Sequence, residues 1–127
     1  GVGLGALFPQ LEVRLIERRE RAAGFIDLTI RRFRLENCVA IREDVRVHGC
    51  AYEAVVARAV SRSEALLLQI SRVCATGGCV AVIRSVARRS IPDWLHQVAH
   101  LETCVAGLVV DVYRKDEPGS GCAGARP

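Results

Sequence analysis

Short apolar segments alternate with longer amphipathic ones along this chain, and that alternation limits the possible fold more than any other feature. Residues 11–17 (LEVRLIE) form a short apolar run, and residues 18–33 then repeat apolar side chains at helical spacing. A strand that leads through a helix into another strand builds a parallel sheet with right-handed crossovers. The pattern therefore predicts an α/β fold with a mostly parallel sheet.

The alternation continues as far as residue 114. One further helix is predicted at 63–73, with Ser63 as its N-cap, and another begins with Pro92 in its first turn and runs to His100. Gly77 and Gly78 indicate a turn before the strand that follows. The remaining strands are predicted at 39–41, 54–57, 79–83 and 107–114. We expect one partial domain over residues 1–115 and a disordered tail over residues 116–127.

Composition narrows the class of protein. Half of the 127 residues are hydrophobic and a quarter are charged, as in globular proteins, and no apolar run approaches the roughly 20 residues that span a bilayer. The net charge of +4 fits an RNA partner and an arginine-rich genome equally well, but seventeen arginines against one lysine favour the arginine-rich genome. The six cysteines form no CxxC pair, so we expect a reduced, cytoplasmic protein without a zinc site.

Candidate binding residues follow the predicted strands, because sheets of this kind bind ligands at the carboxyl ends of their strands. Glu17 ends the first strand, and its two oxygens can accept both hydroxyls of a ribose. The alternative is a solvated acid paired with Arg18 or Arg21. The GxGxG pattern at residues 1–5 follows no strand, so we interpret it as helix and turn rather than as a phosphate cradle.

Several segments of the chain together resemble one known family. The segments are GVGLGALFPQLEVRLIERRERAAGFI, LEN at 35–37, YEAVVARAVS at 52–61, ATGGCVAVIRS at 75–85 and LVVDVYRK at 108–115. In this order and spacing they resemble the glucose-inhibited division protein B family, the bacterial 16S ribosomal RNA guanine-N7 methyltransferases. Gly1 looks like the last glycine of the glycine-rich loop of that family, so the resemblance begins just past the loop.

The resemblance implies a Rossmann-like class I S-adenosylmethionine-dependent methyltransferase sheet, mostly parallel, that lacks its first strand. It implies an enzyme that moves a methyl group from S-adenosylmethionine to a guanine of 16S ribosomal RNA. The implied partner is this RNA or the small ribosomal subunit, and the protein would be a cytoplasmic monomer that does not bind membranes. Without the glycine loop, we expect weak cofactor binding. Two alternatives are a non-catalytic RNA- or partner-binding module of this fold and a small-molecule methyltransferase.

The family's functional positions can be transferred to the matching residues. Guanine N7 is already a nucleophile, so the resemblance implies no catalytic base. Arg46 stands where the family prefers an acid, and Asp44 would have to substitute for it. Arg84 replaces a family lysine near the RNA side, and its alternative is a solvated arginine at a strand end. The implied cofactor-binding residues are Glu17 at the ribose, Asp44, Val45 and Arg46 beside the adenine, and Arg58, whose alternative is an ion pair with Glu53 or Asp44.

Overall fold

The computed structural model describes residues 1–58, 64–85 and 91–117, and its contacts divide the chain into two units, Gly1–His48 and Gly49–Pro127. Each unit has its own sheet, one of two strands and one of four. The predicted N-cap Ser63 and most of the predicted tail lie outside the described residues.

The first unit contains two helices and two parallel strands. The pairing sets Val13 opposite Cys38 and Ile16 opposite Ile41, so the strands predicted at 11–17 and 39–41 are confirmed as parallel neighbours. The glycines of residues 1–5 fall in the first helix or cap it, as the sequence predicted. In chain order the elements are α1 (Val2–Leu7), β1 (Val13–Ile16), α2 (Glu20–Phe33) and β2 (Cys38–Ile41).

Close packing and a side-chain amide fix α1 against the two strands. A Cβ at Gly5 would overlap Sγ of Cys38, so only glycine lets the helix approach β2 this closely. The Asn37 amide nitrogen donates to the carbonyl oxygens of Gly5 at 2.9 Å, Phe8 at 3.3 Å and Leu11 at 2.9 Å. These bonds satisfy carbonyl oxygens at and after the carboxyl end of α1, where no further helical turn supplies backbone N–H donors.

The second helix is amphipathic, as predicted, and buries Ala23 and Ile30. It ends at Arg34, whose φ of 51° and ψ of 47° place it in the left-handed region. The backbone N–H of Leu35 donates to Ile30 O at 3.0 Å and that of Arg34 to Arg31 O at 3.2 Å. This pair of bonds is a Schellman motif, in which glycine usually occupies the left-handed position.

The second unit carries the four-stranded sheet, in the order β3-β4-β6-β5. Strands β3 and β4 pair in parallel, and β6 lies antiparallel between β4 and β5. Its core is a cluster of buried side chains from α3, β4, β5 and β6, which includes Ile70, Val80, Leu95 and Tyr113. The elements are β3 (Tyr52–Arg58), α3 (Glu64–Arg72), β4 (Cys74–Ser85), β5 (Leu95–Glu102) and β6 (Leu108–Lys115).

Two predictions for the second unit need correction. The helix predicted from Pro92 to His100 is wrong, because Leu95–Glu102 is a strand paired with β6. A bulge between Gln97 and Ala99 interrupts the alternation of this strand, so its apolar residues recur every three positions and imitate helical spacing. In addition, Gly77 and Gly78 lie inside β4, which begins at Cys74, and not in a turn ahead of it.

Candidate functional site

The carboxyl ends of β1 and β2 lie side by side, and the candidate binding residues of the first unit follow them directly. The backbone N–H of Glu17 donates to Ile41 O at 3.0 Å, so the two strands stay paired up to the point where each ends. Because the strands are parallel, Glu17 and the loop that follows Ile41 leave the sheet at the same edge.

Glu17 is held in place by Arg19. Its Oε1 accepts the backbone N–H of Arg19 at 2.9 Å and the guanidinium Nε at 3.1 Å, and its Oε2 accepts Nη2 at 3.2 Å. The guanidinium hydrogen bonds, followed by the backbone bond, lower the pKa of the Glu17 carboxyl. Glu17 is therefore ionised and oriented at neutral pH.

Asp44 repeats this arrangement in the loop after β2. Its Oδ1 accepts the backbone N–H of Arg46 at 2.9 Å and Nε at 3.0 Å, and its Oδ2 accepts Nη2 at 2.5 Å. The Arg46 guanidinium, with a smaller contribution from the charge of Arg18, holds the pKa of the Asp44 carboxyl well below its usual range. Val45 lies between the two partners and is partly buried.

Two further side chains contact each other across the same loop. The ring Nδ1 of His48 contacts a carboxylate oxygen of Glu43, and the His48 side chain is almost entirely buried. The sequence alone singles out neither His48 nor Arg19. A signal for Arg19 was present, because an acid followed two residues later by arginine occurs at both strand ends.

The hydrogen-bond acceptors at this edge suit the adenosine half of a nucleoside cofactor. Two ionised carboxylates are acceptors only, so they match the hydroxyl and amino donors of an adenosine. Three hydrogen bonds from Arg19 already use most of the acceptor positions of Glu17, which means that a ribose would compete with this arginine. Arg46, the residue that departs from the family pattern, folds back on Asp44 and occupies acceptor positions of that acid in the same way.

In the second unit, Arg58 and Arg84 lie at the carboxyl edge of β3 and β4. Arg58 is exposed and pairs in register with Ile83, so Arg84, the next residue of β4, points to the opposite face of the sheet. Glu17 and Asp44 belong to the first unit and Arg58 to the second. The convergence of these three side chains stays a prediction.

Arg84 takes part in a polar network around Asp111, which is fully buried. Its Nε donates to Oδ2 of Asp111 at 2.6 Å, and Oδ1 contacts His100 Nδ1 at 2.5 Å and accepts from Gln97 Nε2 at 3.2 Å. Burial also raises the pKa of Tyr113, which lies on the same strand as Asp111. The sequence singles out Arg84 as a candidate, but not Asp111, Gln97 or His100. RNA binding by Arg84 stays a prediction.

In the part of the chain that the structure describes, no helix is long and apolar enough to pass through a bilayer. No three side chains among histidine, cysteine, aspartate and glutamate in residues 1–58, 64–85 and 91–117 are grouped as metal ligands would be.

Comparison with known proteins gives a family match over most of the chain. The family model described as "GidB: rRNA small subunit methyltransferase G" matches residues 1–105. A curated relative, the ribosomal RNA small subunit methyltransferase G of Thermotoga neapolitana, is 34% identical over 71 residues. That alignment includes 53% of this chain and 31% of the relative, so the chain spans about a third of the relative's length.

Solved structures resemble the fold. A Haemophilus influenzae protein described as a methylase superposes with a TM-score of 0.68 at 14% identity, over 91% of this chain and 80% of that one. The tRNA m1G37 methyltransferase of M. jannaschii gives 0.64 at 9% identity, over 93% and 50%. An rRNA methylase from Streptococcus thermophilus gives 0.54 at 14% identity, over 84% and 74%. At these identities the likeness concerns the fold alone, which is that of the class I methyltransferases.

Proposed function

The chain belongs to the family described as GidB, rRNA small subunit methyltransferase G, and from this premise we propose that it serves the transfer of a methyl group from S-adenosylmethionine to a guanine N7 of 16S ribosomal RNA. The observation that carries the proposal is the pair of ionised carboxylates, Glu17 and Asp44, at the carboxyl edge of β1 and β2. The proposed setting is the cytoplasm, with the protein acting as a monomer on ribosomal RNA or the small subunit.

In this proposal the residues of the chain position the reactants. Glu17 accepts the ribose hydroxyls of the cofactor, Asp44 accepts donors of the adenine side, and Val45 provides an apolar contact next to Asp44. Arg46 keeps Asp44 ionised, and Arg58 is a further proposed cofactor-binding residue. S-adenosylmethionine, when bound, supplies a sulfonium methyl group for the N7 lone pair. No general base is required, so orientation and exclusion of water are the tasks left to the protein.

The first test is cofactor binding by isothermal titration. Glu17→Gln removes the charge that the ribose hydroxyls would meet, and we expect S-adenosylmethionine to bind about tenfold more weakly, or worse, as each lost hydrogen bond to a charged group is worth roughly 1.5–3 kcal/mol. The matched control is Glu12→Gln, because Glu12 is an exposed acid just before the amino end of the same strand. Equal affinities for the two variants would remove Glu17 from the site.

Arg19→Ala tests the same site in the opposite direction. This change removes the two guanidinium hydrogen bonds to Glu17 and keeps the backbone bond, so more acceptor positions are open and we expect tighter binding of S-adenosylmethionine than in the wild-type chain. Arg72→Ala, an exposed position in α3, controls for the loss of one positive charge. Unchanged affinity in Arg19→Ala would show that this arginine does not compete with the ligand.

Methyl transfer to unmodified 16S ribosomal RNA and to small subunits decides between the proposal and its alternatives. Incorporation of label at guanine N7 supports it. Cofactor binding with transfer only to small molecules would favour a small-molecule methyltransferase, and RNA binding without cofactor binding would favour a non-catalytic module.

A further inference from the structure

The outer face of α2 carries an exposed stripe that the proposed cofactor site does not use. Arg21, Phe25, Leu28 and Arg32 follow one another at intervals of four, three and four residues, so they line up along one side of the helix. Phe25 is 71% exposed and Leu28 is 64% exposed, because the buried side of the helix faces the other way. We call these four residues, with Phe33 and Arg34 at the helix end, the α2 stripe.

Positive charge is concentrated on this segment. Six of the seventeen arginines of the chain fall within residues 18–34, and all six are exposed. The segment contains only two acids, Glu20 and Asp27, and both are already in ion pairs with arginines outside the stripe. Within the part of the chain that the structure describes, no ion pair is formed by Arg21, Arg32 or Arg34.

The end of the stripe also shows backbone strain. Arg34 has a φ of 51°, a conformation that favours glycine and that an arginine adopts at a cost in stability. It stands beside Phe33, which is 66% exposed. A charged side chain kept in a strained conformation next to an exposed aromatic ring is the kind of outlier found at binding sites.

We propose that the α2 stripe binds a single-stranded segment of RNA, a second RNA contact that rests on the proposed function. Guanidinium groups interleaved with exposed phenyl rings suit a strand whose phosphates and unstacked bases are both accessible. A second copy of the chain is a poorer partner, because it would bring the same positive charge against the stripe. A duplex presents no free base faces to Phe25 and Phe33.

The charge contribution can be measured by fluorescence anisotropy with a labelled single-stranded RNA oligonucleotide of mixed sequence across a salt series. The triple variant Arg21→Gln, Arg32→Gln and Arg34→Gln removes three phosphate contacts. We expect the slope of log K against log salt to become shallower by about 2, at about 0.7 for each contact to a single strand. The control carries Arg72→Gln and Arg114→Gln, two exposed arginines of the second unit, and should keep the wild-type slope.

The stacking contribution is tested by replacing Phe25 and Phe33 with leucine. Leucine keeps the apolar character and the helical propensity but cannot stack on a base. We expect single-stranded RNA to bind about tenfold more weakly, with the salt slope unchanged. A duplex of the same sequence should be insensitive to the change. Circular dichroism checks that both sets of variants keep the helix.

Several outcomes would overturn the proposal. They are the absence of single-stranded RNA binding by the wild-type chain, a wild-type salt slope in the triple arginine variant, and phenylalanine variants that alter sedimentation but not RNA affinity. The last would make the stripe a contact between copies. Cofactor titration and methyl transfer report separately on the proposed function. If cofactor binding and methyl transfer are normal while the triple variant binds RNA like the wild type, only RNA binding by the α2 stripe is excluded. If RNA binds through the stripe but the cofactor does not bind, only the proposed methyltransferase function is excluded.

Discussion

At the scale of single residues, two carboxylates at neighbouring strand ends are each held by the arginine two positions further along the chain. Arg19 contacts Glu17 and Arg46 contacts Asp44, in both cases through the backbone N–H as well as the guanidinium. The backbone hydrogen bond holds the main chain of the arginine beside the carboxylate, so the arginine side chain can fold back onto it. Each carboxylate is consequently charged and held in one orientation before any ligand arrives.

This arrangement predicts an unusually acidic Asp44. The carboxyl should titrate well below its usual range in an NMR pH titration, and Arg46→Ala should return it toward that range. Because the pKa is lower in the folded chain than in the unfolded chain, the contribution to stability is complete above the usual aspartate pKa of about 3.9 and is lost as the pH falls through the lowered value.

The control for this titration is Arg42→Ala. Arg42 lies in the same loop but pairs with Glu20, so its removal should leave the Asp44 titration where it was. An Asp44 that titrates in the usual range in the wild-type chain would contradict the structure of the loop.

The sequence allowed part of this site to be predicted. Glu17 and Asp44 could be placed because each follows a recognisable strand, and the position of a residue after a strand defines its edge of the sheet. Asp111 could not be placed in the same way. Its partners Arg84, Gln97 and His100 come from two other strands, 27, 14 and 11 residues away, and only the pairing of those strands brings them together.

At the scale of elements, the end of α2 contains a residue that its conformation does not favour. Replacing Arg34 by glycine should raise the free energy of unfolding by about 1 kcal/mol, because glycine adopts the left-handed conformation without the steric cost that an arginine incurs. Thermal or denaturant unfolding measures this. Arg32→Gly, inside the same helix, should lower stability by a similar amount. A destabilising effect of Arg34→Gly would show that its side chain makes a contact worth more than the strain.

The packing of α1 on β2 gives a second prediction for an element. Gly5→Ala should destabilise the chain by about 1–3 kcal/mol despite the better helical propensity of alanine, because the new methyl group overlaps Cys38 Sγ. Adding Cys38→Ala should relieve the overlap, since the next atoms lie 3.6 Å away at Asn37 and 3.7 Å away at Val13. Denaturant unfolding of the four chains of this cycle should show a favourable coupling. Strictly additive effects would contradict the close contact.

The elements also show where the sequence misleads. The helix α2 was predictable from spacing, because its apolar residues recur on one face, which is buried at Ala23 and Ile30. The strand β5 was not, because its bulge breaks the two-residue alternation and Pro92 suggests a helical first turn. Pairing with β6 decides the outcome, and a contact with a strand further along the chain leaves no local signal at Leu95–Glu102.

At the scale of the whole molecule, the second unit is organised around a buried charge. Asp111 lies on the central antiparallel strand and joins Arg84 of β4 to His100 and Gln97 of β5. Asp111→Ala should destabilise this unit by about 3–5 kcal/mol, because it removes the buried carboxylate that accepts hydrogen bonds from Arg84 and Gln97 and contacts His100. Hydrogen exchange should then show loss of protection in β4, β5 and β6.

The comparison for this variant is Asp116→Ala. Asp116 also pairs with a histidine of β5, His96, but both side chains are partly exposed, so the expected loss is at most about 1 kcal/mol. Similar exchange behaviour of the two variants would mean that the network around Asp111 has no special part in holding the sheet.

The position of β6 affects how the protein folds during its synthesis on the ribosome. This strand is the last one in the part of the chain that the structure describes, yet it lies between β4 and β5 and supplies Tyr113 to the core. Because synthesis proceeds from the amino terminus, β1 and β2 can pair as soon as both have emerged from the ribosome. Strand β5 cannot pair until its partner β6 has also left the ribosomal exit tunnel. The second unit therefore closes only when residues 108–115 are released. Nascent chains stalled before that point should expose β4 and β5 to chaperones, and chains stalled a tunnel's length after it should not.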